Sequence, residues 1–191
     1  MTNESTSPRI DDAATDHLLT GEEFFELGDI GPCELLDGRI VPMTPTGAEH
    51  SQVESVLVRL VGNFVDQNAR GWVLAGEVGI YTQRNPDRVR GADLAFVSRQ
   101  QTATIPKGFL DFGPDLVVEV VSPNDRWTDI REKIDEYFGI GVRQVWIVEP
   151  PSRQVLVYAS ATTATRYGMG EKLQGTEGLA GLEIEVERIF A

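Results

Sequence analysis

Apolar residues at Val53, Val56, Leu57, Leu60, Val61 and Phe64 recur in steps of three and four between 47 and 68. That spacing predicts a helix burying a single stripe. A second helix is predicted from Trp127, Ile130, Ile134, Tyr137 and Phe138, opened by capping residues in Ser122-Pro123-Asn124-Asp125 and ended by Gly139 and Gly141. Thr20-Gly-Glu-Glu23 has capping-box spacing and should open a short helix through Leu27. Elsewhere the period shortens to that of strands. Segments 72–82 and 89–98 read as strands linked through Asn85-Pro86-Asp87, and 144–148 and 154–158 pair around Pro150-Pro151. Glu34-Leu-Leu and Arg39-Ile-Val flank a two-residue Asp37-Gly38 turn, and a last strand is expected at 182–186. The run 116–121 is apolar on both faces except at Glu119, the pattern of a covered central strand.

Strands interleaved with helices, and hairpins towards both ends, predict an α/β fold with a mixed central β-sheet flanked by helices. The strand, helix, strand unit around the second long helix should cross over right-handed. At 191 residues the chain suits one core. We expect a single domain over 17–191, preceded by a flexible tail at 1–16, which is polar and lacks periodicity.

Composition narrows the function classes. No apolar run is long enough for a membrane span, and the N-terminus has neither the basic start nor the apolar stretch of an export signal, so the expected location is cytoplasmic. The single cysteine, Cys33, agrees with a reducing compartment and reads as a small half-buried hydrophobe. The net charge of −13 argues against tight non-specific DNA binding. It leaves room for a phosphate enzyme in which cations screen the substrate locally. Phosphate-binding loops, dinucleotide-binding glycine patterns, zinc-type Cys/His spacings and serine-hydrolase elbows are missing from the sequence.

The candidate chemistry begins with misplaced charge. A carboxylate in an apolar strand is costly without a partner, so Glu119 requires a lysine, an arginine or a metal ion nearby. Asp93 raises the same question in Ala92-Asp-Leu-Ala-Phe-Val97, and the two could share a divalent ion if their strands are neighbours. Counting alternate positions puts Glu77 on the face of Val73, Ala75 and Gly79, as a third metal-binding acid. Lys133, at the flank of the second helix stripe, can lay its stem on the core while its amine reaches the strand ends. Arg84, Arg88 and Arg90 are either a local phosphate-contact patch or ordinary loop charge. His17, the three tryptophans and the Tyr137 and Phe138 pair read as structural.

Five segments belong together: Glu34-Leu-Leu-Asp-Gly-Arg-Ile-Val, Pro45-Thr-Gly-Ala-Glu-His50, Ala92-Asp93-Leu-Ala-Phe-Val-Ser, Pro114-Asp-Leu-Val-Val-Glu-Val-Val-Ser-Pro123 and Gly141-Val-Arg-Gln-Val-Trp-Ile-Val-Glu-Pro150. As a set they resemble the Uma2 family, a branch of the PD-(D/E)XK nuclease superfamily with a restriction-endonuclease-like core. The resemblance implies that Asp93 is the metal-binding aspartate and Glu119 the second carboxylate. Ala92 stands where the superfamily has proline, and Val121 where it has lysine; members of this branch supply that lysine from the following helix, where Lys133 stands. His50 opens the long helix, as a residue leaning over the metal or as an exposed helix start. The implied activity is Mg2+- or Mn2+-dependent endonuclease hydrolysis of DNA by metal-activated water, with Asp93, Glu119, Lys133 and His50 as catalytic candidates and Asp93, Glu119 and Glu77 as ligands. Two alternatives stay open, a non-catalytic nuclease-fold scaffold and a hydrolase of smaller phosphate esters. Sheet edges of this kind can pair between subunits, so a homodimer is also expected.

Overall fold

The computed structural model describes residues 17–123 and 125–191. The predicted tail at 1–16 and Asn124 lie outside the described residues. Helix α1 (Gly21–Glu26) starts at the predicted capping box: the Thr20 hydroxyl accepts from the Glu23 amide, and the Glu23 carboxylate accepts from the Thr20 amide. Thr20→Ala removes one of these bonds and should destabilise the fold by about 1 kcal/mol, measurable by urea denaturation. Hairpin β1 (Cys33–Leu36) and β2 (Arg39–Pro42) turns at Asp37 and Gly38 as expected. The long helix α2 (Ala48–Gln67) buries Val53, Val56, Leu57, Val61 and Val65.

Strands β3 (Gly71–Gln83) and β4 (Arg88–Ser98) form the longest pairing, followed by β5 (Leu116–Val120), α3 (Trp127–Gly139), β6 (Gln144–Glu149) and β7 (Gln154–Ser160). With an edge strand β8 (Thr163–Tyr167), the eight-stranded sheet runs β2-β1-β4-β5-β6-β7-β8, with β3 also on β4. β5 and β6 are parallel and the other pairings antiparallel, which is the mixed sheet read from the sequence. On β5 and β6 alternate residues separate two cores. Leu116, Val118, Val120, Trp146 and Val148 pack with the α2 stripe, whereas Val117, Val145 and Ile147 pack with Ile130, Ile134 and Tyr137 of α3. The sheet is thus covered on both faces. None of the helices among the described residues is long and apolar enough to cross a membrane.

Four local expectations change. α3 begins at Trp127, with Arg126 as a cap that makes no side-chain bond, because the Asp125 carboxylate turns back to accept the Ser122 amide at 2.7 Å. Trp127 is 44% exposed and leaves the predicted stripe. The sequence Thr-Ala-Thr-Arg-Tyr forms an edge strand, β8 (Thr163–Tyr167), whose exposed residues gave no apolar alternation to detect. Near the C-terminus the strand expected at 182–186 is shorter, β10 (Glu183–Glu185), and pairs with β9 (Lys172–Gln174), also unforeseen.

Candidate metal centre

One edge of β4 forks. β5 pairs with it at Leu94–Phe96 and β1 touches it only at Val89, so residues 90–93 face a gap between two diverging strands. Backbone groups in such a gap need other partners. Side chains supply them: the Gly91 amide donates to Glu34 Oε1 at 3.1 Å, and the Gly91 carbonyl accepts from Lys133 Nζ at 3.3 Å. On the β5 side, the Val120 amide donates to Asp93 Oδ2 at 2.6 Å. The candidate site is built in this fork.

Asp93 is buried, and its other oxygen, Oδ1, lies 3.1 Å from His50 Nε2. The far nitrogen of the ring, Nδ1, meets Ser122 Oγ at 3.1 Å. His50 is itself buried, so the exposed helix-start alternative does not hold. Burial pulls its imidazole down, but the hydrogen bond and charge of Asp93, aided by Glu54 and Glu77, win and leave it above its ordinary value. One turn along α2 from His50, Glu54 joins the group. His50, Glu54 and Asp93 each offer a donor atom, all within 4.8 Å of one another. Glu54 was missed in the sequence, although a carboxylate four residues after a histidine on a helix shares its face.

Glu119 is held from the α3 side. Tyr137 Oη donates to Oε1 at 2.6 Å and Lys133 Nζ to Oε2 at 3.3 Å. Lys133, from the helix that follows the Glu119 strand, thus reaches the Glu119 carboxylate, and so does Tyr137, which was read as structural. Burial is the main force raising Glu119, opposed by Lys133 and reinforced by the charge of Asp93, and its carboxyl lies at about 7. Lys133 also contacts Glu34 Oε1 at 3.0 Å, and its burial is more than offset by the charges of Glu119 and Glu34, which hold the amine above its usual range.

Glu77 occupies a bulge. Gly76 and Glu77 together oppose Asp93 in the β3 and β4 register, which interrupts the simple alternation used to place Glu77 in the sequence. Its carboxylate lies over Gly91, where a Cβ would come within 2.5 Å of Oε2, so a larger residue there would push the carboxylate aside. Burial, then the charge of Asp93, push the Glu77 carboxyl up, and the same two causes raise Glu54. The Gly76 backbone in the bulge opposes the rise at Glu54 without cancelling it. Glu77 and Glu119 thus stand around the His50, Glu54 and Asp93 group.

The arginines do not form a phosphate patch. Arg84 pairs with Glu22 and Asp87, and Arg88 with Asp37, Glu132 and Glu136. Arg90 is buried between Glu34 Oε2 at 3.0 Å and Glu136 Oε2 at 2.8 Å. Their charges are already balanced by carboxylates. Glu34 was not singled out in the sequence; in the fold it is 5% exposed and joins Lys133, Arg90 and the Gly91 amide. Nothing at Glu34 in the sequence marks it, since its partners are 56, 57 and 99 positions away.

The donor chemistry suits a divalent cation. Two carboxylates and an imidazole converge, and three carboxyls in and around the group are pushed up, by burial first and by the charge of Asp93 after it. The Ser122 contact to Nδ1 would fix the ring so that Nε2 points inward, as in many histidine ligands.

Comparison with curated proteins gives no match. Among solved structures, the fold is similar to that of a putative nuclease belonging to DUF820 from Anabaena variabilis ATCC 29413, with a TM-score of 0.76 and 18% identity, over 90% of this chain and 97% of that one. A model of the Uma2 family, described as putative restriction endonuclease, matches residues 22–187, a span that contains the sheet, both long helices and every residue of the site, and the chain belongs to that family.

Proposed function

We propose that the protein is a Mg2+- or Mn2+-dependent endonuclease that hydrolyses DNA phosphodiester bonds. The observation that carries this reading is the convergence of His50, Glu54 and Asp93 beside the Glu119 and Lys133 pair. Asp93, His50 and Glu54 would hold the cation, with Glu119 and Glu77 adding charge around it. A bound cation would polarise the phosphate and lower the pKa of its coordinated water. Glu119, with a carboxyl near 7, is poised to take up a proton from water at neutral pH. The Lys133 ammonium, steadied by Glu34, would offset negative charge as it develops on phosphate oxygens.

The test is metal removal. Cleavage of DNA by the purified protein should stop in EDTA and return with Mg2+ or Mn2+. Manganese calorimetry should find a site that Glu54→Gln weakens by about tenfold or more. A competing reading, a nuclease-fold scaffold without catalysis, is favoured by the partners already held by both Glu119 oxygens. It requires that manganese find no site here. Hydrolysis of a smaller phosphate ester would appear as activity on such esters and none on DNA. The proposal places the chain in the cytoplasm and pairs it as a homodimer through a sheet edge, which sedimentation would report as twice the chain mass.

A further inference from the structure

Next to the acidic group lies a cleft of about 350 Å³ that shares Glu77 and Gly91 with it. β3 and β4 form its floor, and α1, the segment 28–33 and Phe109 form its walls. Three rings meet there. Phe24 and Phe109 have centroids 5.6 Å apart, and Phe25 stands edge-on to Phe109 at 5.2 Å while remaining 49% exposed. Phe109 is fixed by its neighbour: the Leu110 amide donates to the Gly79 carbonyl at 2.9 Å, and the Leu110 carbonyl accepts from the Tyr81 amide at 2.9 Å. Gly79 gives the ring its place, since a Cβ there would come within 2.1 Å of Phe109 Cδ1. The result is a fixed aromatic wall, partly open to solvent.

Charge decides what part of a ligand could enter. Arg90 is the cation in the lining, and Glu34 and Glu136 already pair with it; Asp29 and Glu77 add negative charge. A phosphate would be repelled, whereas a neutral planar group could stack on Phe25. Continuity with the acidic group through Glu77 and Gly91 argues for a part of the same substrate over a second copy of the chain.

We propose that this cleft receives one unstacked nucleobase of the strand whose phosphate is bound at the Asp93 cluster. The inference rests on the endonuclease reading and deepens it, since a base in continuous duplex must first be unpaired and unstacked at a cost. The favoured substrates are nucleic acids with unpaired nucleotides beside the cut: single strands, overhangs and flaps.

The experiment compares a short labelled oligothymidylate with its duplex on oligoadenylate, by fluorescence anisotropy, in calcium to hold the strand uncut. The single strand should bind more tightly than the duplex. Phe25→Ala should weaken single-strand binding by roughly 5- to 150-fold, the range for one base stacked on an aromatic ring, and leave the duplex unchanged. Phe25→Trp should keep or improve the affinity, which guards against an alanine variant that misfolds. Equal single-strand binding by all three proteins overturns the subsite. So does a Phe25→Ala variant that loses self-association in sedimentation while keeping its strand affinity, because the face then belongs to a second copy. A manganese titration run alongside separates the two levels. Absence of both manganese and strand binding removes the endonuclease reading together with the subsite, whereas manganese-dependent cleavage indifferent to Phe25 removes the subsite alone.

Discussion

Asp93→Asn should lower metal-dependent DNA cleavage by at least about a hundredfold, because a bound cation contributes several kcal/mol of charge stabilisation and each 1.36 kcal/mol is tenfold in rate. The substitution keeps the size of the side chain. Its amide oxygen can still accept the Val120 amide, and His50 can shed its proton once the charge beside it is gone. The cost in stability should therefore stay near that of one hydrogen bond, about 1 kcal/mol. Manganese affinity should fall with activity. A second readout is electrostatic: with Asp93 neutral, the carboxyls of Glu54, Glu77 and Glu119 should all move down towards their ordinary range, since its charge raises each of them. Carboxyl titration by NMR would follow this. Undiminished cleavage by Asp93→Asn would remove Asp93 from the mechanism.

The metal-free protein should lose stability as the pH rises from about 5 to 7.5, and added Mg2+ should cancel the loss. Glu119 explains the sign. In the unfolded chain its carboxyl titrates near 4.5, and in the fold near 7. Below 4.5 both states hold the proton, and between the two values only the folded state does. Above 7 both are ionised, and the fold bears the full penalty, an upper bound of about 3 kcal/mol. Glu54 and Glu77 are raised and act in the same sense. His50, also raised, gives stability that is complete below its ordinary value and declines as the pH climbs past it. The lowered carboxyls Glu22, Glu23, Asp37, Asp87 and Glu136 work in another window: their contribution is complete above their ordinary values and is lost only in more acid solution. Urea denaturation at several pH values, with EDTA and with Mg2+, measures the effect. Stability that rises with pH in EDTA would mean that the fork is not short of positive charge.

These two results would test a site whose members were unequally visible in the sequence. Glu119 announced itself because a charge inside the apolar run 116–121 demands a partner, and Asp93 did so for the same reason. The two long helices and the hairpin at Asp37 and Gly38 were legible because their patterns are local: a stripe repeating every turn, a pair of residues suited to a tight turn. Lys133 could be placed at the end of the Glu119 strand once the following helix was recognised, since helix period and strand length fix how far its amine reaches. The Uma2 resemblance supplied roles that periodicity could not.

Other features depend on how distant segments are brought together. Glu34 became a site residue because β1 and β5 diverge along β4 and leave the Gly91 amide to be met by a side chain from elsewhere, whereas Tyr137 joined through Glu119 and Ser122 through His50. The bulge at Gly76 and Glu77 is a matter of register between two strands, and one strand's sequence does not contain it. The same holds for Arg84, Arg88 and Arg90, whose charges look free along the chain and are balanced only when helix α1, the hairpin and α3 close around them. The sequence by itself determined the two long helices, the hairpin at Asp37 and Gly38, the central strands and two costly carboxylates, because local spacing and burial cost are properties of short segments. Tertiary structure alone decided that His50 and Glu54 join Asp93, and which cation faces which acid, because electrostatic partnership depends on distances through space between residues far apart in the chain.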